Sequence, residues 1–243
     1  MSGRHVLVTG SARGIGRALA EHFARLGWVV SGVDLDDAAL IAPGYRHFRA
    51  DITDEATLAA VFASAAERAP LDAVIGNAAL TDLDHRRAVD LDYDVWRRVL
   101  RVNVDGAFLT GRLAARLMTP RRRGNIVFIT SSLAFFDHAK AEDAAYCTSK
   151  AAVEMYARVL ASELADDKVN VNTLYPSVKV DTGFFAHLPD TERAALAPPD
   201  ILNGPAAFLA GLEPGALTGV SLDQQRWDYD AGYRRTLVRG PNA

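Results

Sequence analysis

Short apolar runs alternate with segments of helical period along most of this 243-residue chain. The apolar runs are nearly unbroken, which is typical of parallel strands that are buried on both faces of a sheet. Parallel strands need crossover connections, and helices between successive strands supply them. This order predicts an α/β fold, namely a single-domain, Rossmann-type doubly wound sheet of about seven parallel strands with helices on both faces. One domain is expected to span residues 1–243.

The boundaries of the predicted elements follow from periodicity and from Gly and Pro. Strands are predicted at residues 5–9, 28–33, 45–49, 71–75, 125–130, 169–174 and 219–222. Helices are predicted at residues 14–26, 54–68, 92–118 and 144–165. Residues 176–203 lack a clear period, which makes them a candidate substrate lid. Residues 223–243 form an aromatic C-terminal tail that is expected either to pack at a subunit interface or to close over the site.

Composition excludes several classes of function. The net charge of −3 gives no electrostatic reason to expect a nucleic-acid partner. Cys147 is the only cysteine and the histidines are scattered, so we expect neither a disulfide nor a metal site. No apolar run approaches the roughly 20 residues of a membrane span. The first predicted strand leaves no room for a signal peptide. These observations predict a cytoplasmic protein without membrane or nucleic-acid partners.

A glycine-rich turn follows the first predicted strand and precedes the first predicted helix. Gly10 is expected to allow the tight turn, Gly14 the close approach of a pyrophosphate, and Gly16 the packing of the helix on the sheet. The spacing is G-x-x-x-G-x-G, and its position between strand and helix indicates a dinucleotide cradle. The residues of this turn expected to contact the cofactor are Gly10, Ser11, Arg13, Gly14, Ile15 and Gly16.

An acidic residue at the end of the second predicted strand bears on the choice of cofactor. Asp34 can accept hydrogen bonds from a free adenosine ribose and repels a 2′-phosphate. Arg13 acts in the opposite direction, because a cation in the glycine turn can attract that phosphate. A charge-assisted bond at Asp34 outweighs a solvated arginine, so NAD is favoured and NADP is left open as the alternative.

Tyr146 and Lys150 are four residues apart in a predicted helix and therefore lie on one face, one turn apart. An ammonium beside a phenol favours the phenolate. Such a phenol can exchange a proton with an alcohol or carbonyl group near neutral pH. Together with the dinucleotide cradle, this pair indicates hydride-transfer chemistry on a small-molecule alcohol or ketone.

The ordered set of motifs resembles the short-chain dehydrogenase/reductase family, in its single-domain branch, from Val6 to about Leu222. The motifs that carry this resemblance are Thr9-Gly10-(x3)-Gly14-Ile15-Gly16, Asp51-Ile52, Gly76-Asn77-Ala78-Ala79, Val102-Asn103-Val104, Ser131-Ser132 and Tyr146-(x3)-Lys150. The resemblance implies that hydride passes between nicotinamide and a secondary alcohol or its ketone. It also implies a homo-oligomer, a tetramer or a dimer, paired through the helices that hold Asn103 and Tyr146.

The resemblance also implies a role for each matching residue. Tyr146 would be the general acid/base, Lys150 would lower its pKa and bind the nicotinamide ribose, Ser132 would hydrogen-bond the reacting oxygen, and Asn103 would anchor a proton-relay water through a main-chain kink. The other cofactor contacts implied are Asp51, Ile52, Asn77, Ala78, Ala79, Pro176 and Thr182.

The sequence departs from the family pattern near the expected substrate. Ser132 precedes Tyr146 by 14 residues, one more than is usual in the family, so the extra residue is placed in 135–143 and Ser131 is kept in reserve. Four phenylalanines are candidates to line an apolar substrate pocket, and half of them are expected to be core instead: Phe135, Phe136, Phe184 and Phe185. The lining residues predicted are Leu133, Phe135, Phe184 and Phe185. Two other functions stay open on the same scaffold, a non-redox enzyme of the lyase or dehalogenase type and a catalytically silent dinucleotide-binding protein.

Overall fold

One parallel sheet of seven strands forms the centre of the computed structural model, which describes residues 3–40 and 42–239. Its strands are β1 His5–Thr9, β2 Val29–Asp34, β3 Tyr45–Arg49, β4 Ala73–Gly76, β5 Gly124–Ile129, β6 Val169–Tyr175 and β7 Ser221–Asp223. The spatial order is β3-β2-β1-β4-β5-β6-β7. The doubly wound α/β fold predicted from the sequence is therefore confirmed.

Helices cover both faces of this sheet. The α-helices found in the described part of the chain are α1 Gly14–Arg25, α2 Glu55–Arg68, α3 Tyr93–Leu100, α4 Gly106–Met118, α5 Ala144–Glu163, α6 Asp190–Arg193, α7 Asn203–Ala210, α8 Gln224–Tyr229 and α9 Ala231–Arg239. Alternate residues of each strand point to opposite faces, so Leu7 packs with α2, α4 and α5, whereas Val6 and Val8 pack with α1 and α7.

The strand order reverses between β1 and β4. The strands β1 to β3 are added towards one edge of the sheet, and the strands β4 to β7 are added towards the other edge. In sheets of this kind, ligands bind in the crevice beyond the carboxyl ends of the strands at the reversal. The glycine turn after β1, the segment Gly76–Ala79 after β4 and the serines after β5 all lie at this edge. The fold thus brings the separate sequence motifs to one crevice.

The predicted helix 92–118 is interrupted at its middle. A π-helical turn, Arg101–Asp105, separates α3 from α4, and the N–H of Gly106 bonds the carbonyl of Arg101, five residues back. Such turns widen a helix locally and occur often at functional sites. Asn103 lies in this turn, so the main-chain irregularity implied by the family resemblance is present at the expected residue.

Residues 176–203 are more regular than their sequence suggests. Val180 pairs with Ala197 as an isolated parallel bridge, and Arg193 binds both carboxylate oxygens of Asp181 at 2.9–3.1 Å. A short 3₁₀ turn, Gly183–Phe185, lies at its centre. The segment therefore holds its own shape over the crevice.

The tail packs largely on its own chain. The Trp227 ring lies 4.7 Å from that of Phe208 on α7, and Tyr233 accepts a hydrogen bond from the N–H of Asp223 at 3.3 Å. Tyr229 remains exposed. The helices α6 to α9 were missed by the sequence analysis, because helices of four to nine residues are too short to show a clear period. Residues 240–243 lie outside the described residues. No helix in the described ranges is both long and apolar enough to cross a membrane.

Candidate active site

In the glycine turn after β1, neighbouring main-chain atoms occupy the space that side chains at Gly10 and Gly16 would need. Gly10 and Gly14 have φ of +68° and +55°, values that residues with a side chain rarely adopt. A Cβ on Gly16 would lie 2.0 Å from the carbonyl oxygen of Gly10. The turn therefore presents bare backbone to the crevice, as a pyrophosphate requires.

The amide of Asn77 fastens this turn to the end of β4. Its Nδ2 donates to the carbonyl oxygens of Thr9 and Gly10 at 2.9 and 3.1 Å. In return, the Thr9 hydroxyl accepts from the N–H groups of Asn77 and Ala78 at 3.0 and 3.2 Å. These four bonds join the two strand ends at which the sheet order reverses.

The first turn of α1 is open to an anion. Arg13 occupies the N-cap position and its side chain makes no capping bond. The first N–H groups of a helix lack internal partners and attract phosphate, so a dinucleotide fits here. Ser11, in contrast, is fully buried with its hydroxyl 3.4 Å from that of Tyr45, so its side chain points away from the crevice. Ile15 packs into the core on the α1 face.

Carboxylates surround the end of β2. Asp34 accepts bonds from the N–H groups of Ala12 and Asp36 at 2.9 and 3.1 Å. Arg13 pairs with Asp36 at 3.5 Å rather than with Asp34. Its guanidinium also lies against Gly183 of the lid segment. The cation that might have attracted a 2′-phosphate is therefore already beside a carboxylate.

Asp51 and Ile52 lie farther along the same edge, after β3. One carboxylate oxygen of Asp51 accepts from both the N–H and the hydroxyl of Thr53, each at 2.8 Å. Ile52 is buried, and its side chain fills the space beside Gly106 at the start of α4. The two residues thus fix a turn at the place implied for the adenine.

Asn103 connects three parts of the site. Its Oδ1 accepts from the N–H of Leu80 at 2.7 Å, and its Nδ2 donates to the carbonyl of Leu80 and to the Ser149 hydroxyl at 2.8 and 2.9 Å. The Ser149 hydroxyl in turn donates to the carbonyl of Tyr146 at 2.7 Å. The side chain of Asn103 is fully used in holding α5 to the loop after β4.

Tyr146 and Lys150 lie together at the carboxyl end of β5. The Lys150 Nζ is 5.7 Å from the centre of the Tyr146 ring and donates to the carbonyl of Ile129 at 2.9 Å. Burial raises the pKa of Tyr146 to about 12, a rise that its hydrogen bond with Ser131 opposes. Burial also lowers the pKa of Lys150 to about 8, against the opposing influence of the Glu154 carboxylate. A cavity of about 10 Å³ lies between Lys150 and Asn103.

Ser131 is the serine whose hydroxyl lowers the pKa of Tyr146, whereas the sequence analysis preferred Ser132 and kept Ser131 in reserve. Ser131 is buried just beyond β5, whereas Ser132 begins a separate 3₁₀ turn, Ser132–Ala134. Counting back from Tyr146 misplaced the serine because the intervening loop is longer than expected. Counting forward from the end of β5 would have indicated Ser131. The chemical role of either serine remains a prediction.

Two residues of the segment 176–203 lie against the glycine turn and Tyr146. The side chain of Thr182 lies against Gly14, since a Cβ there would be 3.3 Å from its Cγ2. Phe184 meets the Tyr146 ring edge-on at 5.9 Å, which places it at the expected substrate position. The predicted contacts of Thr182 and Phe184 are thus brought to the site.

The other predicted lining residues are more dispersed. Phe135 packs on Tyr175 at 5.0 Å, and Phe185 lies 6.0 Å from the Lys179 ammonium group. Leu133 is partly buried beside Ser131 in the turn after β5. The segment Pro176-Ser177 is tied to β7, because the Ser177 hydroxyl donates to Asp223 at 2.8 Å. Among the three predicted phenylalanines, Phe184 is the one whose ring pairs with that of Tyr146 in the described part of the chain.

Two groups of polar residues were not predicted. Glu154, one turn after Lys150, accepts from the hydroxyls of Thr130, Thr173 and Ser221 at 2.5–3.1 Å. The sequence did contain a sign of this contact, because Glu154 follows Lys150 by four residues and so lies on the same face of the helix. The second group joins His85 and Lys140 to Asp143, and no spacing in the sequence relates His85 to Asp143. Among the described residues, no group of three or more His, Cys, Asp or Glu is arranged to hold a metal ion.

Comparison with known proteins agrees with this geometry. Residues 4–193 match the family model described as "short chain dehydrogenase". The D-threitol dehydrogenase of Mycolicibacterium smegmatis is 34% identical over 91% of each chain. Among solved structures, a putative NAD(P) dependent gluconate 5-dehydrogenase from Beutenbergia cavernae with bound NADP has a TM-score of 0.80 and 32% identity, over 97% of this chain and 98% of that chain. The 3-ketoacyl-(acyl-carrier-protein) reductase from Brucella melitensis complexed with NADH has a TM-score of 0.82 and 26% identity, over 91% of this chain and 96% of that chain.

The matched residues include the glycine turn, Asn103, both serines, Tyr146 and Lys150, so sequence and geometry select the same crevice. The chain is an NAD(P)-dependent oxidoreductase that transfers hydride to or from an alcohol or ketone, and it belongs to the short-chain dehydrogenase/reductase family.

Proposed function

We propose that the protein is an NAD-dependent dehydrogenase of a secondary alcohol, in which Tyr146 exchanges the proton with the reacting oxygen. The observation that carries this proposal is the buried Tyr146 phenol, with Lys150 on one side and Ser131 on the other, at the reversal of the strand order. An ionisable pair with strongly shifted pKa values in a crevice is typical of a catalytic site.

The proton transfer follows from the charges around the phenol. During alcohol oxidation Tyr146 removes the hydroxyl proton, and during ketone reduction it returns one. A pKa of about 12 makes the phenol a weak source of phenolate, and the Lys150 ammonium stabilises that phenolate. Ser131 donates to the reacting oxygen and keeps it beside Tyr146. The chemistry that a nicotinamide cofactor would supply here, when bound, is the transfer of the hydride.

The residues that would hold the cofactor are distributed along the crevice. The first turn of α1 and Gly14 would bind the pyrophosphate, Asp34 the adenosine ribose, and Asp51 with Ile52 the adenine. The nicotinamide half would meet the segment Asn77, Ala78 and Ala79 together with Lys150, Pro176 and Thr182. The cavity of about 10 Å³ beside Asn103 suits a single water molecule, which would connect Lys150 to solvent.

Substitution of Tyr146 by Phe should abolish turnover and leave dinucleotide binding intact. The ring packing persists but the proton donor is lost, so kcat should fall by at least about a hundredfold. Steady-state kinetics and an NADH fluorescence titration measure the two effects separately. Tyr93→Phe, an exposed tyrosine at the start of α3, serves as the matched control. Full activity of the Tyr146→Phe protein would remove Tyr146 from the mechanism.

The two adjacent serines can be distinguished in the same assay. Because Ser131 is the serine at the phenol, Ser131→Ala should lower kcat by roughly a hundredfold, the usual cost of a lost donor to a developing oxyanion. Ser132→Ala should change kcat little. The reverse ranking of the two variants would restore Ser132 as the residue that binds the reacting oxygen.

The preference for NAD over NADP is supported by the charges at the end of β2. Asp34, Asp36 and Asp37 lie where a 2′-phosphate would approach, and Arg13 is paired with Asp36. Repulsion by these carboxylates disfavours the phosphate, while Asp34 can accept bonds from a free ribose.

Asp34→Ala should weaken NADH binding by about tenfold to a hundredfold and reduce discrimination against NADPH. Parallel fluorescence titrations with NADH and NADPH give both dissociation constants. Arg13→Ala is the companion variant and should leave the preference unchanged. Tighter binding of NADPH by the unmodified protein, lost in Arg13→Ala, would instead make Arg13 the deciding charge.

We also propose that the protein is a homodimer or homotetramer that associates through α4 and α5. Large apolar side chains on these helices remain exposed in the single chain, including Phe108, Met155 and Val159. Large exposed apolar side chains on two neighbouring helices are typical of a protein–protein interface.

Light scattering should therefore give the mass of a dimer or tetramer, and Met155→Glu with Val159→Glu should reduce it. Leu26→Glu, a similarly exposed apolar position just after α1, is the matched control. A monomeric mass for the unmodified protein would contradict the proposed interface.

Two further proposals concern the setting of the enzyme. Residues 176–203 act as the substrate lid, as the contact of Phe184 with Tyr146 supports. A cytoplasmic location is proposed from the single cysteine, Cys147, which is free.

A further inference from the structure

A series of side-chain contacts connects Tyr146 with two histidines, His187 and His85. Tyr146 touches Phe184, and His187 lies three residues beyond Phe184 in the lid segment. The His187 ring is 6.3 Å from that of His85 in the loop after β4. His85 binds Asp143, which is the N-cap residue of α5 and three residues before Tyr146. The two imidazoles and Asp143 therefore form a rim beside the partly exposed Tyr146, which is the proposed proton-transfer residue.

Asp143 fixes the orientation of His85. Only 5% of Asp143 is exposed, and its Oδ1 lies 3.0 Å from the Nδ1 of His85. Its other oxygen accepts from the Lys140 ammonium at 2.5 Å, as an ionised carboxylate would. Although Asp143 occupies the N-cap position, its side chain makes no capping bond to α5. Both oxygens of the Asp143 carboxylate therefore bind residues of the rim, namely His85 and Lys140.

The backbone at both ends of this contact is unusual. His85 and Glu142, the residue before Asp143, have φ of +49° and +69°. Non-glycine residues seldom adopt these values, and where they do the surrounding contacts must compensate. Backbone strain at both residues that flank one polar contact indicates that the contact has a function besides forming a turn.

The bond to Asp143 determines what His85 can offer a ligand. An ionised carboxylate only accepts, so the proton of the neutral ring is on Nδ1. The Nε2 of the ring is then an acceptor, and it is left for another partner. An acceptor at the rim favours a hydroxyl group and disfavours a carboxylate, which has no proton to donate.

We propose that His85, with His187 beside it, binds a second hydroxyl group of the substrate, so that the enzyme acts on diols and polyols rather than on simple alcohols. This inference rests on the dehydrogenase function proposed above. The C–H groups of such a substrate would lie on Phe184 while its reacting hydroxyl meets Tyr146. Sites that hydrogen-bond a substrate hydroxyl discriminate strongly against analogues that lack it.

The test compares NAD-linked oxidation of butan-2-ol, butane-2,3-diol and threitol with that of 2-hydroxybutyrate, at alkaline pH where an imidazole is neutral. We expect kcat/KM for the diol or the tetritol to exceed that for butan-2-ol by at least about tenfold. We also expect 2-hydroxybutyrate to be a poor substrate. Equal or higher kcat/KM for butan-2-ol would overturn the proposed hydroxyl site.

Variants locate the preference at His85. His85→Asn suits the left-handed backbone and removes the ring nitrogen, so the diol-to-butanol ratio should fall at least about tenfold. His22→Asn, a substitution of the same kind in the last turn of α1, is the control. A ratio that His85→Asn leaves unchanged would remove His85 from substrate recognition.

Asp143→Asn gives a readout that a purely structural role would not produce. An amide at position 143 can donate to Nδ1, which moves the imidazole proton to Nε2 and makes that atom a donor. The preference should then move from butane-2,3-diol towards 2-hydroxybutyrate. A uniform loss for all four substrates would instead indicate that Asp143 only supports the fold.

Failure of this inference is separable from failure of the dehydrogenase proposal. If NADH binds but none of the alcohols bearing a second hydroxyl is oxidised, the hydroxyl site is overturned while the dinucleotide site stands. If the protein binds neither NADH nor NADPH and oxidises no alcohol, the proposed function itself is contradicted.

Discussion

The exchange of hydrogen bonds between Asn77 and Thr9 is the constraint on which the site depends. β1 and β4 are neighbours in the sheet but distant in the chain, and their ends must meet where the strand order reverses. Four bonds at 2.9–3.2 Å satisfy the backbone groups that a strand end leaves unpaired. With these ends joined, the glycine turn has a fixed position, and α1 directs its first turn into the crevice.

A second set of contacts places the proton-transfer groups against that crevice. Asn103 bonds Leu80 and Ser149, so the loop after β4 and the helix α5 cannot shift independently. Lys150, buried beneath Tyr146, is oriented by the carbonyl of Ile129. Burial disfavours the charged forms of both Tyr146 and Lys150, and the favourable interaction between ammonium and phenolate can offset that cost only while the two remain adjacent. Rigidity here is therefore an electrostatic requirement as well as a geometric one.

The sequence predicted the structure correctly where regular apolar spacing or a glycine-rich turn marked the element. The central strands and the helices α1, α2 and α5 were found because their apolar spacing is regular. Motif order also predicted that Asp34, Asn103, Tyr146 and Lys150 lie at one edge of the sheet.

The failures share a different physical cause. Ser132 was preferred over Ser131 because loop length, unlike strand register, is not fixed by hydrogen bonding. The helices α7 to α9 were missed because their burial against α1 and the sheet depends on tertiary contacts. The contact of His85 with Asp143 joins loops 58 residues apart, a separation that no local pattern encodes.

The packing at Gly16 bears on how this chain can change over generations. A side chain there would meet the carbonyl oxygen of Gly10, which belongs to the main chain and cannot be trimmed by substitution elsewhere. A clash between two side chains can be removed by substituting one of them with a smaller residue. A clash with a main-chain atom cannot be removed by any substitution of a neighbouring residue. Position 16 therefore has to remain glycine, whereas a contact made by side chains, such as that of His85 with Asp143, can change while the main chain stays in place.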